Sequence, residues 1–315
     1  MASYYLGVDG GQSSTTALVG DETGKVLGAG RGGPCNHVGG AEGRNKFVEA
    51  IRGCVGEALE KAGLAAETRF AAGCLGFSGG PADKDAIVNE ILALDKRIVT
   101  TDARIALTGA TAGGPGIITI GGTGSISFGR SAEGKIARVG GWGYVFGDEG
   151  GAFDISREAV RAALRMEEGW GPATALHARL LEITGARDAN EVMHRFYTTE
   201  WPRPRIASVS RIVDEAAGTG DKIAEDILNV AAQQLAAITA ACRRLLFQAQ
   251  DEVFAARIGG VFKSGRLLER FRFLVELDGH TTLGEPRLNP AAGALLEAYQ
   301  ACGLTMTLRD VPELK

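Results

Sequence analysis

Glycines placed directly after runs of apolar β-branched residues constrain the fold of this chain more than any other feature of its sequence. Glycine supplies 46 of the 315 residues, which is about twice its ordinary share. A disordered linker would mix glycine with Ser, Gln and Pro, and that pattern is absent from the sequence. The clusters therefore indicate loops at strand ends, where glycine lets the backbone turn sharply or approach a ligand closely. They lie at 10–11, 79–80, 113–116, 121–124, 140–143, 150–151 and 259–260.

The first part of the chain predicts a mixed sheet flanked by helices. Short strands over 4–9, 16–20 and 25–30 are separated by turn residues, which predicts an antiparallel meander. Helix and strand periodicities then alternate, as in sheets with parallel strands. The predicted elements are helix 42–62, strand 70–77, helix 82–94, strand 97–101 and helix 103–109.

The same order of elements begins again after Gly-Gly-Pro-Gly at 113–116, which we interpret as a hinge. We therefore expect two α/β domains, 1–114 and 115–289, with the C-terminal segment 290–315 packing back on the first. A second meander is predicted at 117–120, 125–128 and 135–139, followed by helices 152–165, 172–184, 188–196, 205–217 and 221–249, strand 253–258, helix 264–272, a short strand 273–277 and helix 291–301.

Charge and cysteine content favour a small-molecule ligand. Lys and Arg number 34 against 38 Asp and Glu, so no basic excess indicates nucleic acid or an anionic membrane as a partner. The five cysteines are scattered without a C-x-x-C pair, which indicates reduced, buried thiols. Because no signal sequence and no run of about 18 apolar residues is present, we expect a cytoplasmic protein with no membrane association.

Two hairpin turns carry the residue types that bind phosphate. In the segment 9–16, backbone amides and hydroxyls suit phosphate oxygens, and Asp9 suits a hydrated Mg²⁺ ion. The segment 121–125, Gly-Gly-Thr-Gly-Ser, occupies the equivalent turn of the second meander. Each segment alone also suits an ordinary hairpin turn. It is the pair that suggests a triphosphate held from two sides.

Three further segments are candidates for chemistry. Asp102 closes a strand at the mouth of a mixed sheet and is a candidate general base, although it could also simply cap the helix that follows. The segment 140–151 combines glycines and aromatic residues with Asp148 and Glu149, which suits a sugar or offsets the positive end of the next helix. Gly259 and Gly260 allow a flat ring to lie on bare backbone, or else form a tight turn.

Taken in order, these motifs resemble those of the actin-like ATPase superfamily, which includes hexokinase. Within it, Thr-Asp-Ala at 101–103 and Gly-Gly-Trp-Gly-x-x-x-Gly-Asp-Glu-Gly at 140–150 are similar to the BadF/BadG/BcrA/BcrD-type group that contains N-acetylglucosamine kinase and glucosamine kinase. The resemblance implies two ribonuclease H-like domains and an active site in the cleft between them. Asp9–Thr16, Asp102–Ala110, Ile120–Ser127, Ile258–Val261 and Asn289–Ala298 resemble its first phosphate, first connecting, second phosphate, adenosine and second connecting motifs.

The resemblance also implies a function and a set of site residues. The activity would be phosphorylation by ATP and Mg²⁺ of the 6-hydroxyl of N-acetylglucosamine or glucosamine, with Asp102 as the base and Asp9 bound to Mg²⁺ through water. A homodimer is a further expectation from the family. The implied sugar-binding residues are Asn36, Ser78, Asp102, Thr123, Gly124, Trp142, Gly143 and Asp148. The implied ATP-binding residues are Gly10, Gly11, Gln12, Ser13, Thr15, Thr123, Gly259, Gly260 and Ser264.

The sequence departs from the family pattern at Gln12, where many relatives have glycine, and at Ser14, where a basic residue is common. Two other functions remain open. One is an ATPase that activates an iron-sulfur enzyme, which needs cysteines that hold a cluster. The other is a sensor of sugar or nucleotide that has lost catalysis.

Overall fold

The computed structural model describes residues 3–35, 40–78 and 83–313. Contacts divide the chain into two compact units, Met1–Gly114 together with Pro286–Lys315, and Pro115–Glu285. Residues 286–289, which the sequence analysis assigned to the second domain, thus belong to the first unit. In the described ranges, no helix is long and apolar enough to cross a membrane.

The first unit contains a five-stranded mixed sheet. Its strands are β1 (Tyr4–Gly10), β2 (Thr15–Asp21), β3 (Val26–Gly32), β4 (Phe70–Phe77) and β5 (Leu94–Thr101). The spatial order is β3-β2-β1-β4-β5. The first three strands form the predicted antiparallel meander, whereas β1, β4 and β5 run parallel.

Three helices follow the strands of this sheet, α1 (Gly40–Lys61), α2 (Asp85–Ile91) and α3 (Asp102–Ala110). Alternate residues of β1 face opposite sides, as the period of a strand requires. Leu6 and Val8 pack in the core that includes α1, and Tyr5 packs in the core on the other face.

The second unit repeats the topology of the first. Its strands are β6 (Gly116–Gly121), β7 (Ser125–Arg130), β8 (Ile136–Gly140), β9 (Val253–Ile258) and β10 (Thr281–Gly284). The order β8-β7-β6-β9-β10 again joins an antiparallel meander to two parallel strands. The two mixed sheets confirm the predicted fold class.

Seven helices are described in the second unit, α4 (Ala152–Glu167), α5 (Ala175–Thr184), α6 (Ala189–Phe196), α7 (Arg203–Ser208), α8 (Ser210–Gly218), α9 (Lys222–Leu246) and α10 (Gly265–Val275). A 3-10 turn at Gly260–Lys263 precedes α10. Their apolar faces and the sheet form one core. The single helix predicted over 205–217 is therefore wrong, since the chain forms α7 and α8 with Val209 between them.

The predicted strand 273–277 is also wrong. Phe271 and Val275 lie one helical turn apart and are both buried, and α10 continues through Val275. A turn over 278–280 then leads to β10, in which Thr281 and Leu283 are the buried residues. The β-branched residues of the strand thus come after the polar turn and not before it.

The last helix, α11 (Pro290–Ala301), belongs to the first unit and packs against α3 and β1. Asn289 caps it by accepting a hydrogen bond from the N–H of Ala292 at 2.9 Å. Its residues Leu295 and Tyr299 are completely buried. The chain end therefore completes the first unit, so the two units are not simply the two halves of the sequence.

Candidate functional site

The carboxyl ends of three parallel strands meet at one edge of the first sheet. The pairing places Gly10 beside Phe77, and Phe77 beside Thr101. Asp9, Ser78 and Asp102 therefore lie at the same edge, although more than twenty residues of sequence separate each from the next.

Hydrogen bonds hold both oxygens of the Asp102 carboxylate. The hydroxyl of Ser78 donates to Oδ2 at 2.6 Å, and the N–H of Ala103 donates to Oδ1 at 2.8 Å. The cap of α3 is Thr101, whose hydroxyl accepts from the N–H of Arg104 at 3.3 Å. Capping by Asp102, the alternative left open by the sequence, is therefore wrong. Its carboxylate is available in a fixed orientation.

Asp9 lies close enough to Asp102 for the two charges to interact. Burial, and next the Asp102 carboxylate, raise the pKa of Asp9 to about 6. A divalent cation would relieve this repulsion. No group of three or more metal-ligating side chains occurs in the described ranges, but Mg²⁺ is usually held by one or two carboxylates together with phosphates and water. The residues present thus fit Mg²⁺ that arrives with a nucleotide.

The hairpin between β1 and β2 exposes part of the predicted phosphate segment. Gln12, Ser13 and Ser14 are exposed at its tip, which is closed by a hydrogen bond from the N–H of Gly11 to the carbonyl of Ser14. Thr15 is buried, and its hydroxyl donates to the carbonyl of Gly33 and to the sulfur of Cys35. The predicted contact of Thr15 with ATP stays a prediction. Its hydroxyl is already hydrogen-bonded within the protein.

A buried lysine near Asp102 was missed by sequence reasoning. Lys84 is only 2% exposed, its Nζ donates to the carbonyl of Ser78 at 3.4 Å, and it lies 5.6 Å from the centre of the Phe77 ring. Ser78 thus contacts both the candidate base and a buried ammonium group. No local sequence motif marks Lys84.

In the second unit, two glycine loops lie side by side at the ends of β6 and β9. Ile120 pairs with Ile258, so the loops 121–124 and 259–260 leave the sheet at the same edge. Gly259 has φ of +113°, and a Cβ there would overlap the carbonyl of Gly121. A glycine is therefore required for the two loops to approach each other.

These loops border a cavity of about 620 Å³, a size typical of small-molecule sites. Of the predicted site residues, Thr123, Gly260 and Ser264 line it, and so does Gly122 of the predicted phosphate segment 121–125. Sequence reasoning missed the basic residues Arg211 and Lys263 in its lining, although the predicted helix 205–217 covers Arg211. The signal was available in α8, where Arg211, Asp214 and Glu215 follow helical spacing on one face.

Two lining residues also support each other. Ser264 caps α10 by accepting from the N–H of Leu267 at 3.3 Å, and its hydroxyl donates to Asp214. The loop 121–124 is fixed in turn by α4, because the N–H groups of Ala152 and Phe153 donate to the carbonyls of Gly122 and Thr123. The cavity wall is thus pre-formed.

The segment 140–151 brings Asp148 to the same loop. Asp148 is 6% exposed, has φ of +64° and forms an ion pair with Arg203. A Cβ at Gly124 would overlap its carboxylate, so Asp148 packs directly on the loop backbone. Left-handed backbone at a non-glycine residue is uncommon and concentrates at functional sites. Sequence reasoning found Asp148 but missed its partner Arg203.

Other predicted residues lie apart from these contacts. Trp142 is 71% exposed and stacks under the guanidinium of Arg138 at 5.2 Å. Gly143 has φ of +82° in the same loop and makes no steric contact at its Cβ position. Asn36 lies outside the described residues.

Comparison with known proteins agrees with this architecture. The fold matches that of a ROK family glucokinase from Streptomyces griseus, with a TM-score of 0.53 at 20% identity, over 96% of this chain and all of that chain. The chain belongs to the BadF/BadG/BcrA/BcrD ATPase family, whose model matches residues 6–298.

Two relatives are similar over nearly the whole chain. The N-acetylmuramic acid/N-acetylglucosamine kinase of Clostridium acetobutylicum is 32% identical over 306 residues, which cover 95% of this chain and 99% of the relative. A structure from Chromobacterium violaceum, provisionally assigned as an N-acetylglucosamine kinase, has a TM-score of 0.71 at 27% identity and matches 93% of this chain and 98% of its own.

Proposed function

We propose that the protein transfers the γ-phosphoryl group of ATP to the 6-hydroxyl of an amino sugar, N-acetylglucosamine or glucosamine, with Asp102 as the general base. The observation that carries this proposal is the Asp102 carboxylate, fixed through both oxygens by Ser78 and Ala103. A base must be oriented toward the proton that it removes, and these hydrogen bonds supply that orientation. The kinase relative from Clostridium acetobutylicum supports the assignment of a sugar kinase.

The roles of the two units follow from their contacts. In the second unit, the cavity beside Gly122, Thr123 and Gly260 would hold ATP, with Arg211 and Lys263 near the phosphates. Asp148 on the loop backbone at Gly124 would bind a sugar hydroxyl. In the first unit, the hairpin after Asp9 would contact phosphate. The family resemblance also implies that Asn36 binds the sugar.

In the proposed reaction, the 6-hydroxyl oxygen attacks the γ-phosphorus in line with the bond to the leaving ADP oxygen. Asp102 accepts the hydroxyl proton as the new oxygen–phosphorus bond forms. Asp9 would hold Mg²⁺ through water, and the bound ion would supply charge to neutralise the phosphates. The protein contributes mainly by positioning, since phosphoryl transfer needs little covalent chemistry from the enzyme.

The test is ADP release with Mg-ATP against glucosamine, N-acetylglucosamine, N-acetylmannosamine and glucose. We expect sugar-dependent ADP release and phosphate at carbon 6 of the product. Asp102→Asn should lower kcat by about 100- to 10,000-fold, the usual contribution of a general base. Asp95→Asn, which removes an exposed carboxylate paired with Arg69 in the same unit, is the matched control and should retain activity.

ADP release that does not depend on sugar would contradict the proposal and favour the activator ATPase, while binding without turnover would favour the sensor. The cysteines give the activator no support. Cys35, Cys54, Cys74 and Cys242 are buried and Cys302 is partly buried, whereas ligands of a shared cluster must reach a subunit surface.

A further inference from the structure

Lys84 is a buried cation to which the proposed reaction assigns no role. Its side chain is 2% exposed, whereas Asp83 and Asp85 on either side of it are exposed. Lysine is seldom buried this completely, because an ammonium group that leaves water loses its hydration. The chain therefore turns one charged side chain inward between two charged neighbours that lie at the surface.

The start of α2 does not depend on this ammonium group. Lys84 is the N-cap residue of α2, and its carbonyl accepts a hydrogen bond from the N–H of Val88 at 2.9 Å. Its side chain makes no capping hydrogen bond. Another side chain at this position would leave the backbone contribution to the helix in place.

The contacts of Lys84 lead instead to the end of β4. Its Nζ donates to the carbonyl of Ser78 at 3.4 Å and lies 5.6 Å from the centre of the Phe77 ring, within the range of a cation–π contact. The N–H of Ser78 donates to the carbonyl of Gly10 at 3.2 Å. The backbone of Ser78 is thus held on two sides, by the ammonium group and by the end of β1.

The hydroxyl of Ser78 carries this constraint to Asp102. It donates to Oδ2 of Asp102 at 2.6 Å, and a hydroxyl has a single hydrogen to donate. A shift of the Ser78 backbone would therefore lengthen or break a hydrogen bond that orients the carboxylate. Phe77 links Lys84 to the same sheet edge a second time, because a Cβ at Gly10 would overlap the Phe77 ring.

The charge of Lys84 also suits this edge, where Asp9 and Asp102 repel each other. Burial raises the pKa of the Cys35 thiol, and among the charged groups Asp9 raises it while Lys84 lowers it. Because both charges act on one thiol, the ammonium group and the carboxylate of Asp9 belong to one cluster. A positive charge in this cluster offsets part of the repulsion between the two carboxylates.

We infer that Lys84 is a positioning residue for the phosphoryl transfer: its ammonium group fixes Ser78, and Ser78 then holds the Asp102 carboxylate toward the sugar hydroxyl that it deprotonates. The inference rests on the proposed function, because it takes Asp102 as the base. Lys84 acts through Ser78 and not by contact with the sugar. A misplaced base slows proton transfer even when the substrates bind as before, since the transfer depends on hydrogen-bond geometry.

The test is a double-mutant cycle on kcat with Lys84→Met and Ser78→Ala. Lys84→Met keeps an unbranched side chain of nearly the same length and removes the ammonium group. It should lower kcat about 10- to 100-fold and leave the KM for ATP within about twofold, as expected for the loss of a hydrogen bond to a charged group outside the nucleotide cavity. Because Lys84 acts through Ser78, the double variant should have the kcat of Ser78→Ala alone.

Lys61→Met is the matched control, because it removes a lysine of the same unit whose side chain is 58% exposed. It should leave kcat unchanged. Urea denaturation separates the effect on rate from an effect on stability. Lys84→Met should unfold at the urea midpoint of the wild type or above it, since the replacement of a buried charge by an apolar side chain is often neutral or stabilising.

A wild-type kcat in Lys84→Met overturns the inference, and a lower urea midpoint in that case would assign Lys84 a structural role. Additive effects in the cycle also overturn it, because they would mean that Lys84 does not act through Ser78. If Lys84→Met does not fold, Lys84→Gln takes its place in the cycle. Glutamine keeps an N–H donor and loses the charge, and the same two outcomes apply.

Asp102→Asn in the same assay separates this inference from the proposed function. If Asp102→Asn loses activity and Lys84→Met does not, the proposed function stands and the inference fails. If no sugar is phosphorylated, the proposed function fails, and the same cycle on the calorimetric Kd for N-acetylglucosamine decides the inference. Weaker binding that is not additive with Ser78→Ala would support the positioning of Asp102 by Lys84, whereas additive or absent weakening would overturn it.

Discussion

Asp148 is held by three different kinds of constraint at the scale of single residues. Its backbone is left-handed, its carboxylate pairs with Arg203, and that carboxylate packs on Gly124 without space for a methyl group between them. The ion pair and the contact with Gly124 both involve Oδ2 of the carboxylate. The carboxylate therefore reaches the loop 121–124 in one orientation, which is what a residue that positions a sugar requires.

Gly124→Ala should displace Asp148 and weaken sugar binding. The added Cβ would overlap the carboxylate, and the loss of a hydrogen bond to a charged group corresponds to a rise of about tenfold or more in KM for the sugar. The KM for ATP should change much less. Steady-state kinetics with each substrate varied in turn measures both values.

The matched control is Gly122→Ala in the same loop. A Cβ at Gly122 meets no atom within 4 Å, so the loop tolerates it, but Gly122 lines the cavity that we assign to the nucleotide. We expect this variant to raise the KM for ATP and not that for the sugar. The opposite assignment of the two effects would contradict the roles given to Asp148 and to the cavity.

At the scale of elements, the contact between α3 and α11 depends on small residues. A Cβ at Gly293 of α11 would overlap the backbone of α3 at Ile105 and Gly109. Across the same contact, the carboxylate of Glu297 is 4% exposed and accepts hydrogen bonds from Arg104 at 2.7 Å and from Thr108 at 2.5 Å. The helix that begins with Asp102 is therefore fixed by the last helix of the chain.

Gly293→Ala should lower the free energy of unfolding by about 3 kcal/mol, because the methyl group meets backbone that cannot move aside. Urea denaturation monitored by circular dichroism measures this change. Gly53→Ala is the control, since Gly53 lies within α1 and a Cβ there meets nothing within 4 Å. Alanine in an open helical position should instead raise stability by about 0.5–1 kcal/mol. Equal effects of both substitutions would show that helix propensity, and not the contact between α3 and α11, decides stability.

The helices and strands that the sequence predicted correctly are those bounded by a local residue pattern. The hairpin between β2 and β3 was predictable because Asp21 accepts hydrogen bonds from Thr23 and Lys25 within the turn itself. The end of α10 was not predictable in this way, because Phe273 to Leu277 suits a strand as well as a helix and only the burial of Val275 decides. The break at Val209 likewise has no glycine or proline to mark it.

Over the whole molecule, the candidate site residues fall into two groups. Some are marked by a short sequence motif, and others are placed only by tertiary packing. The glycine loops and Asp102 were predictable because each follows a strand in a short motif. Arg203 pairs with Asp148 across 55 residues of sequence, and Lys84 donates to the carbonyl of Ser78. Neither has a local pattern, since the contact arises from tertiary packing.

The stability of the first unit should depend on pH because Asp9 has a raised pKa in the folded state. The pKa of Asp is ordinarily about 3.9, whereas burial and then Asp102 raise that of folded Asp9 to about 6. With a raised pKa in the folded state, Asp9 favours folding while it is protonated, and this contribution is lost as the pH rises from about 4 through 6. Above pH 7 the ionised carboxylate of Asp9 lowers the free energy of unfolding by about 3 kcal/mol.

Asp9→Asn should therefore be more stable than the wild type by about 3 kcal/mol at pH 7.5, with the difference vanishing near pH 4. Urea denaturation at four pH values between 4 and 7.5 measures the difference. Asp21→Asn is the control with the opposite sign. Burial opposes ionisation of Asp21, but hydrogen bonds from Thr23 and Lys25 outweigh it and lower its pKa, so this variant should lose stability relative to the wild type as the pH rises. If the free energies of unfolding of the wild type and of Asp9→Asn change in parallel with pH, Asp9 is ionised in the folded protein without a loss of stability. The site would then have no repulsion between carboxylates for a bound cation to relieve.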